Sequence, residues 1–113
     1  AAYVAENGDQ LAKFLAVTAK ANAMWADEAN RAEMLPIIAK DAGMDEDATL
    51  ATMATFVFPT VEDQLAEKWL GGGAQTFMKG VADVFVEAKS IDSALDSYSQ
   101  AVNVGPLTAA NGM

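Results

Sequence analysis

The stretch FPTVEDQLAEKWLGGG, residues 58–73, holds the side chains of this sequence best suited to bind a ligand. An extended Phe-Pro leads into an acidic segment, and three glycines follow Trp69 and Leu70. A glycine-rich turn before a helix can hold a phosphate on free backbone N–H groups. The phosphate-binding loop of nucleotide-binding proteins, however, ends in Gly-Lys-Ser or Gly-Lys-Thr, and GGGAQTF does not. The pattern therefore favours a turn between two helices over a phosphate site.

Carboxylates are the other groups that could do chemistry, and their spacing matches no standard site. A calcium loop that began at Asp45 would need an acid at its fifth position and glycine at its sixth, where this sequence has Thr49 and Leu50. The chain also has neither histidine nor cysteine, which removes imidazole and thiolate groups as nucleophiles and metal ligands. We therefore expect no enzyme activity, no catalytic residue, no cofactor and no metal site.

The charge balance narrows the class of partner. Sixteen acidic residues against seven basic ones give a formal net charge of −9. Nucleic-acid binding and attachment to an anionic membrane both need clustered lysine and arginine, so neither is expected. No apolar run approaches the roughly 20 residues of a membrane-spanning helix. The opening AAYVAENGDQ lacks the basic and apolar regions of a signal peptide, so a signal for export would have been removed or would lie outside this chain.

Apolar residues recur at three- and four-residue steps along most of the chain, which predicts a mainly α fold. Gly8 is expected to stop a short first helix in the left-handed conformation, and Asp9 to cap the next. Gly43 and Asp45 mark the end of one helix and the start of another. Pro36 lacks a backbone N–H and predicts a first-turn position or a kink. One more short helix is expected at 93–97.

The helix after the three glycines has the clearest two-sided pattern. Gly80 inside it is expected to mark a close packing contact. The stripe expected to lie in the core belongs to the helix after Asp9 and consists of Leu11, Phe14, Leu15, Thr18, Asn22 and Trp25. Lys79 and Asp83 are spaced to pair across one turn. Trp25 and Trp69 are expected to pack against apolar neighbours rather than hold a ligand. In the helix after the three glycines, the apolar side consists of Phe77, Val81, Val84, Phe85 and Ala88, and the polar side of Gln75, Lys79, Asp83 and Glu87.

The segment TFVFP departs from the helical pattern. It is β-branched and aromatic, and the residue before Pro59 is biased towards an extended conformation. At most one short strand, near Phe56-Phe58, is expected, and a lone strand would need partners from elsewhere. Residues 1–113 otherwise form a single helical segment in this interpretation, and residues 105–113, which begin with Gly-Pro, are expected to be a frayed tail.

Three stretches resemble periplasmic solute-binding proteins of the taurine and alkanesulfonate type, within the nitrate/sulfonate/bicarbonate group that serves ABC importers. FPTVEDQLAEKWLGGG is similar to the family's Phe-Pro...Glu-x-Gln...Trp-Leu-Gly run, and KSIDSALDSYS to its Ile-x-x-Ala-Leu-x-x-Tyr ending. The similarity extends from YVAENGDQLAKFLAVTAKAN through AGMDEDATLATMATFVFPTVEDQLAEKWLGGG to KGVADVFVEAKSIDSALDSYSQAV. The resemblance thus covers nearly the whole chain.

The resemblance implies that the chain is the helical C-terminal segment of a two-lobed α/β periplasmic-binding-protein fold (type II), an incomplete lobe of a larger protein. It implies capture of a small sulfonate such as taurine in the periplasm and delivery to an ABC permease. Asp63, Gln64 and Trp69 are the candidate ligand-binding residues, because they follow the predicted strand end, where α/β clefts open. Most residues in such turns only cap or pack, which is the alternative for each.

A different class of function stays open. The chain could be a stand-alone helical domain that acts by protein–protein contact, and it would then self-associate into a homo-oligomer through apolar faces that nothing else covers.

Overall fold

The computed structural model describes residues 2–113, and these are mainly helical, as the sequence predicts. No β-strand occurs among them; residues 56–60, the place of the one strand that the sequence allows, are irregular. Seven α-helices and one 3₁₀ turn at Ser99–Ala101 make up the regular structure. The helices are α1 (Ala2–Glu6), α2 (Gly8–Ala26), α3 (Glu28–Ala42), α4 (Glu46–Met53), α5 (Val61–Leu65), α6 (Gly73–Glu87) and α7 (Gly105–Ala110).

Capping residues end and begin the helices where the sequence places them. Gly43 has φ 67° and closes α3, with its N–H directed at the carbonyls of the last turn. Asp45 caps α4, its carboxylate accepting a hydrogen bond of 2.8 Å from the N–H of Ala48. Asp27 caps α3 in the same way, through the N–H of Ala29 at 3.0 Å. These side chains satisfy N–H groups that the first turn of a helix leaves without partners.

Four local predictions differ from the structure. Gly8 is the first residue of α2, and its φ is not positive. The N–H of Leu11 bonds to the carbonyl of Asn7, so helical bonding continues past Gly8 and does not stop there. Asp9 lies within the first turn of α2 and not at a cap before it. Pro36 lies well inside α3, which excludes the first-turn position and leaves the kink that the sequence also allows. Residues 93–97 are not helical, because Ser97 turns its hydroxyl to the N–H of Ser99 (3.2 Å) and so competes with helical bonding.

The fourth difference concerns the C-terminus, where the sequence predicts a frayed tail at 105–113. Gly105–Ala110 forms α7 instead, with Pro106 in its first turn, where the missing N–H costs nothing. Leu107 and Ala110 are buried, so this helix is held by packing of its apolar side.

Internal contacts divide the chain into two compact units. The first unit contains residues 2–16 together with Val61–Met113, and within it α5 packs against α7. The second unit is Val17–Thr60, in which α3 packs against α4. The boundary falls inside α2.

The buried interior consists mainly of small side chains. Of the buried hydrophobic residues within 2–113, only Trp25 and Leu107 are larger than alanine. The accessible surface is 8199 Å² for 11.8 kDa. A folded monomer of this mass exposes about 5,900 Å², and two separate domains of half the mass would expose about 7,100 Å². Large apolar side chains are among the groups left in contact with solvent, including Phe14, Ile37, Val57 and Phe77, each more than 60% exposed.

Candidate functional site

The predicted ligand-binding residues lie at the start of the turn that joins α5 to α6. Asp63 is exposed in the first turn of α5, where its negative charge stabilises the positive end of the helix. Gln64 is half-buried in the same helix. Trp69 lies in the turn itself, is 40% exposed, and has the Lys68 Nζ 5.6 Å from its ring centroid. The prediction that the tryptophans pack is confirmed for Trp25, which is 7% exposed, whereas Trp69 is packed only in part.

The three glycines form a turn between two helices, as the sequence predicts, and its backbone N–H groups already have partners. Leu70 N bonds to Gln64 O at 2.9 Å, and Gly71 N to Ala66 O at 3.0 Å. Gly73 N bonds to Glu67 O at 2.8 Å, which anchors the first residue of α6 to the turn. A phosphate at this position would have to displace these bonds.

Two of the glycines are required by close backbone approach. A Cβ at Gly71 would lie 2.8 Å from the carbonyl carbon of Ala66. A Cβ at Gly73 would overlap the carbonyl oxygen of Lys68. Gly72 has more room, with its nearest neighbour at 3.8 Å. The run is therefore explained by the path of the chain and not by a ligand.

A polar cavity of about 400 Å³ lies beside this turn, lined in part by Gln75, Lys79 and residues 96–99. Gln75 Nε2 donates to the carbonyl of Leu70 at 2.8 Å. Its Oε1 is buried and accepts no hydrogen bond. Lys79 pairs with Asp83, as the sequence predicts. The unpartnered acceptor has almost no accessible surface, so a ligand in the cavity could not reach it without movement of Gln75.

The most unusual feature of the first unit is the orientation of α6. We define its apolar stripe as Phe77, Val81, Val84 and Phe85, all four exposed, with Phe77 at 72%. The core prediction of the sequence concerns the stripe of α2, and it is wrong for Phe14, which is 68% exposed. The Gln75–Leu70 bond fixes the opposite side of α6 against the turn, and Ala82 is the buried residue of the helix. Gly80 has no neighbour within 4 Å, so the predicted close contact there is also wrong.

No family model, curated protein or solved structure matches this chain. Among residues 2–113, no helix is both long and apolar enough to cross a membrane. In the same described part of the chain, no three acidic side chains are close enough together to hold a metal ion.

Proposed function

We propose that this chain is the helical C-terminal part of a periplasmic solute-binding protein that captures a small sulfonate such as taurine for an ABC importer. The protein has no catalytic role in this proposal. It holds the solute in a cleft and delivers it to the membrane permease.

The observation that carries the proposal is the exposed apolar stripe of α6. An apolar stripe exposed along a helix is expected where a neighbouring part of the same lobe would otherwise cover it, and this supports the proposal. The resemblance of 58–73 and 89–99 to the family's runs is the reason for assigning those neighbours to a solute-binding protein. In this proposal the stripe packs against the rest of its lobe.

The chain alone is not expected to retain taurine. Asp63 and Trp69 are exposed on one short helix and its turn, so they would bury only part of a small solute. Partial burial does not offset the loss of translational and rotational freedom on binding. The other residues of the cleft would come from the remainder of the protein.

The test uses the product of the whole open reading frame that encodes this chain. Taurine at about 100 times its dissociation constant should stabilise that product by about 2.7 kcal/mol, seen as a rise in thermal midpoint. β-Alanine, which replaces the sulfonate by a carboxylate, is the matched control and should give a smaller rise. The 113-residue chain should show no rise with either. A reading frame that encodes no further lobe, or a full product that no sulfonate stabilises, would contradict the proposal.

A second candidate is a self-associating helical domain, and the spacing of the stripe favours it. Phe77, Val81 and Val84, followed by Ala88, stand four, three and four residues apart, which is the a/d spacing of a helix that pairs with another helix. Charges on α6 nearly balance, with Lys79 against Asp83 and Glu87, so a second copy would not be strongly repelled there.

Sedimentation velocity of the 113-residue chain between micromolar and millimolar concentration separates the two candidates. Self-association through α6 predicts a concentration-dependent dimer that the Phe77→Asp substitution abolishes. A monomer throughout that range rules out the second candidate, whereas the first candidate is decided by the full-length product alone.

A further inference from the structure

The second unit contains a cleft that no sequence pattern indicates. Its volume is about 360 Å³, within the range of small-molecule sites. It lies where the end of α2, the start of α3, the end of α4 and the segment after α4 meet. The side chains that line it include Trp25, Arg31, Leu50, Met53, Phe56 and Phe58.

Arg31 is held in one position by the backbone and by a ring. Its Nε donates to the carbonyl of Trp25 at 2.9 Å, and its guanidinium carbon lies 5.5 Å from the Trp25 ring centroid. Asn30 makes a parallel contact, from its Nδ2 to the carbonyl of Met24 at 3.2 Å, across the same junction of α2 and α3. Trp25 is only 7% exposed, so it forms a fixed floor beneath the cation. Such preorganisation lowers the entropy cost of binding an anion.

The charge of Arg31 is only weakly neutralised. Its acidic neighbour is Glu28, whose Oε1 lies 3.5 Å from Nη1 and whose side chain is 86% exposed. An exposed pair of this length contributes little, because water screens it. A guanidinium has five N–H donors. Among residues 2–113, the contacts of Arg31 with the Trp25 carbonyl and with Glu28 engage only two of these donors. Arg31 is also the sole arginine of the sequence, and only arginine presents the planar fork that pairs with a carboxylate or sulfonate through two bonds.

The other side of the cleft is apolar. Phe56 and Phe58 meet edge to face, with ring centroids 6.2 Å apart. Phe56 and Leu50 are both substantially exposed, although each borders a concave surface. A cleft with one oriented cation and an apolar wall is complementary to a ligand with one anionic end and one hydrocarbon end.

We propose that this cleft binds a small organic anion, with the carboxylate or sulfonate on Arg31 and a hydrocarbon body against Phe56 and Phe58. The inference stands on the second unit alone and does not rest on the function proposed above. Taurine is a poor ligand for it, since its two-carbon chain gives no apolar body and its ammonium group would be repelled by Arg31.

Hexanesulfonate is the probe, and hexanol is its uncharged counterpart. Because the sequence has one arginine, a ¹⁵N NMR spectrum shows a single arginine Nε–H signal, which belongs to Arg31. We expect hexanesulfonate to move that signal in a saturable way, and hexanol to move it little. The Trp25 indole signal should move together with it, and the Trp69 indole signal, from the first unit, should stay in place.

Two substitutions complete the test, with affinity followed by the Trp25 signal. Arg31→Gln should weaken hexanesulfonate binding about 10-fold or more, because a charge-assisted hydrogen bond is lost. Lys40→Gln removes the same unit of charge from exposed α3 surface outside the cleft and should leave the affinity unchanged. Equal loss in both variants, equal binding of hexanol, or no saturable change would overturn the proposal. If Arg31→Gln fails to fold, the comparison of hexanesulfonate with hexanol in the unaltered chain decides.

Discussion

Two glycines of the same helix are predicted to respond in opposite directions to the same substitution. Gly73 is the first residue of α6 and Gly80 lies at its centre. Replacing each in turn with alanine adds one methyl group and changes nothing else. The pair therefore tests whether the turn before α6 follows the path that the structure gives it.

The magnitude of each effect follows from the space around the added Cβ. At Gly80 nothing lies within 4 Å, so alanine should raise the free energy of unfolding by about 0.5–1 kcal/mol through its better helix propensity. At Gly73 the Cβ would overlap the carbonyl oxygen of Lys68, and this backbone cannot shift without breaking the 2.8 Å bond from Gly73 N to Glu67 O. Overpacking of this kind costs about 1–3 kcal/mol. The two variants should therefore differ by about 1.5–4 kcal/mol.

Urea unfolding followed by circular dichroism at 222 nm measures both variants against the parent chain, with the denaturant slope checked for a change in the unfolded state. Equal stability of the two variants would refute the close approach at the turn. A loss at Gly80 of 1 kcal/mol or more, by contrast, would show that another group packs against the middle of α6, as the sequence pattern had suggested.

Three further substitutions test individual elements by the same unfolding assay. Pro36→Ala should raise the free energy of unfolding by up to about 3 kcal/mol, because Pro36 interrupts the bonding of α3, and no gain would place it at a helix boundary instead. Asp45→Ala should lower the free energy of unfolding by about 0.5–2 kcal/mol, because α4 loses its cap. Asp41 is an exposed acid near the end of α3, and Asp41→Ala should change the free energy of unfolding by less than about 0.5 kcal/mol. Equal effects of the two substitutions would refute the cap. Asp83→Asn should cost only a few tenths of a kcal/mol, because its pair with Lys79 is exposed; a loss above about 1 kcal/mol that persists in 1 M salt would contradict this.

Local signals of the sequence predict helix ends well. Gly43 and Asp45 end and begin helices through bonds within a few residues of themselves, so their roles need no knowledge of the rest of the fold. The pairing of Lys79 with Asp83 is local in the same sense. The helix predicted at 93–97 does not form, and the reason is also local. Serine side chains there bond to nearby backbone and hydroxyl groups outside any helix.

Burial could not be predicted in the same way, because it depends on which neighbours meet each helix face. The period of α6 shows a two-sided helix, but nothing in the period says that Gln75 would anchor the polar side inward. The sequence did not predict the cleft that contains Trp25 and Arg31. The side chains that line this cleft come together only through the α2–α3 junction and the irregular segment after α4. A lone arginine six residues after a tryptophan was the only available sequence signal, and it is a weak one.

The central claim is that the rest of a solute-binding lobe covers the apolar stripe of α6, and Phe77→Asp tests it most directly. In the 113-residue chain Phe77 is 72% exposed, so the substitution should change the free energy of unfolding by less than about 0.5 kcal/mol. In the product of the whole open reading frame it should cost at least about 3 kcal/mol, because a carboxylate would replace a packed ring, while Phe77→Leu should cost less than about 1.5 kcal/mol. An equally small effect of Phe77→Asp in both proteins would contradict the claim.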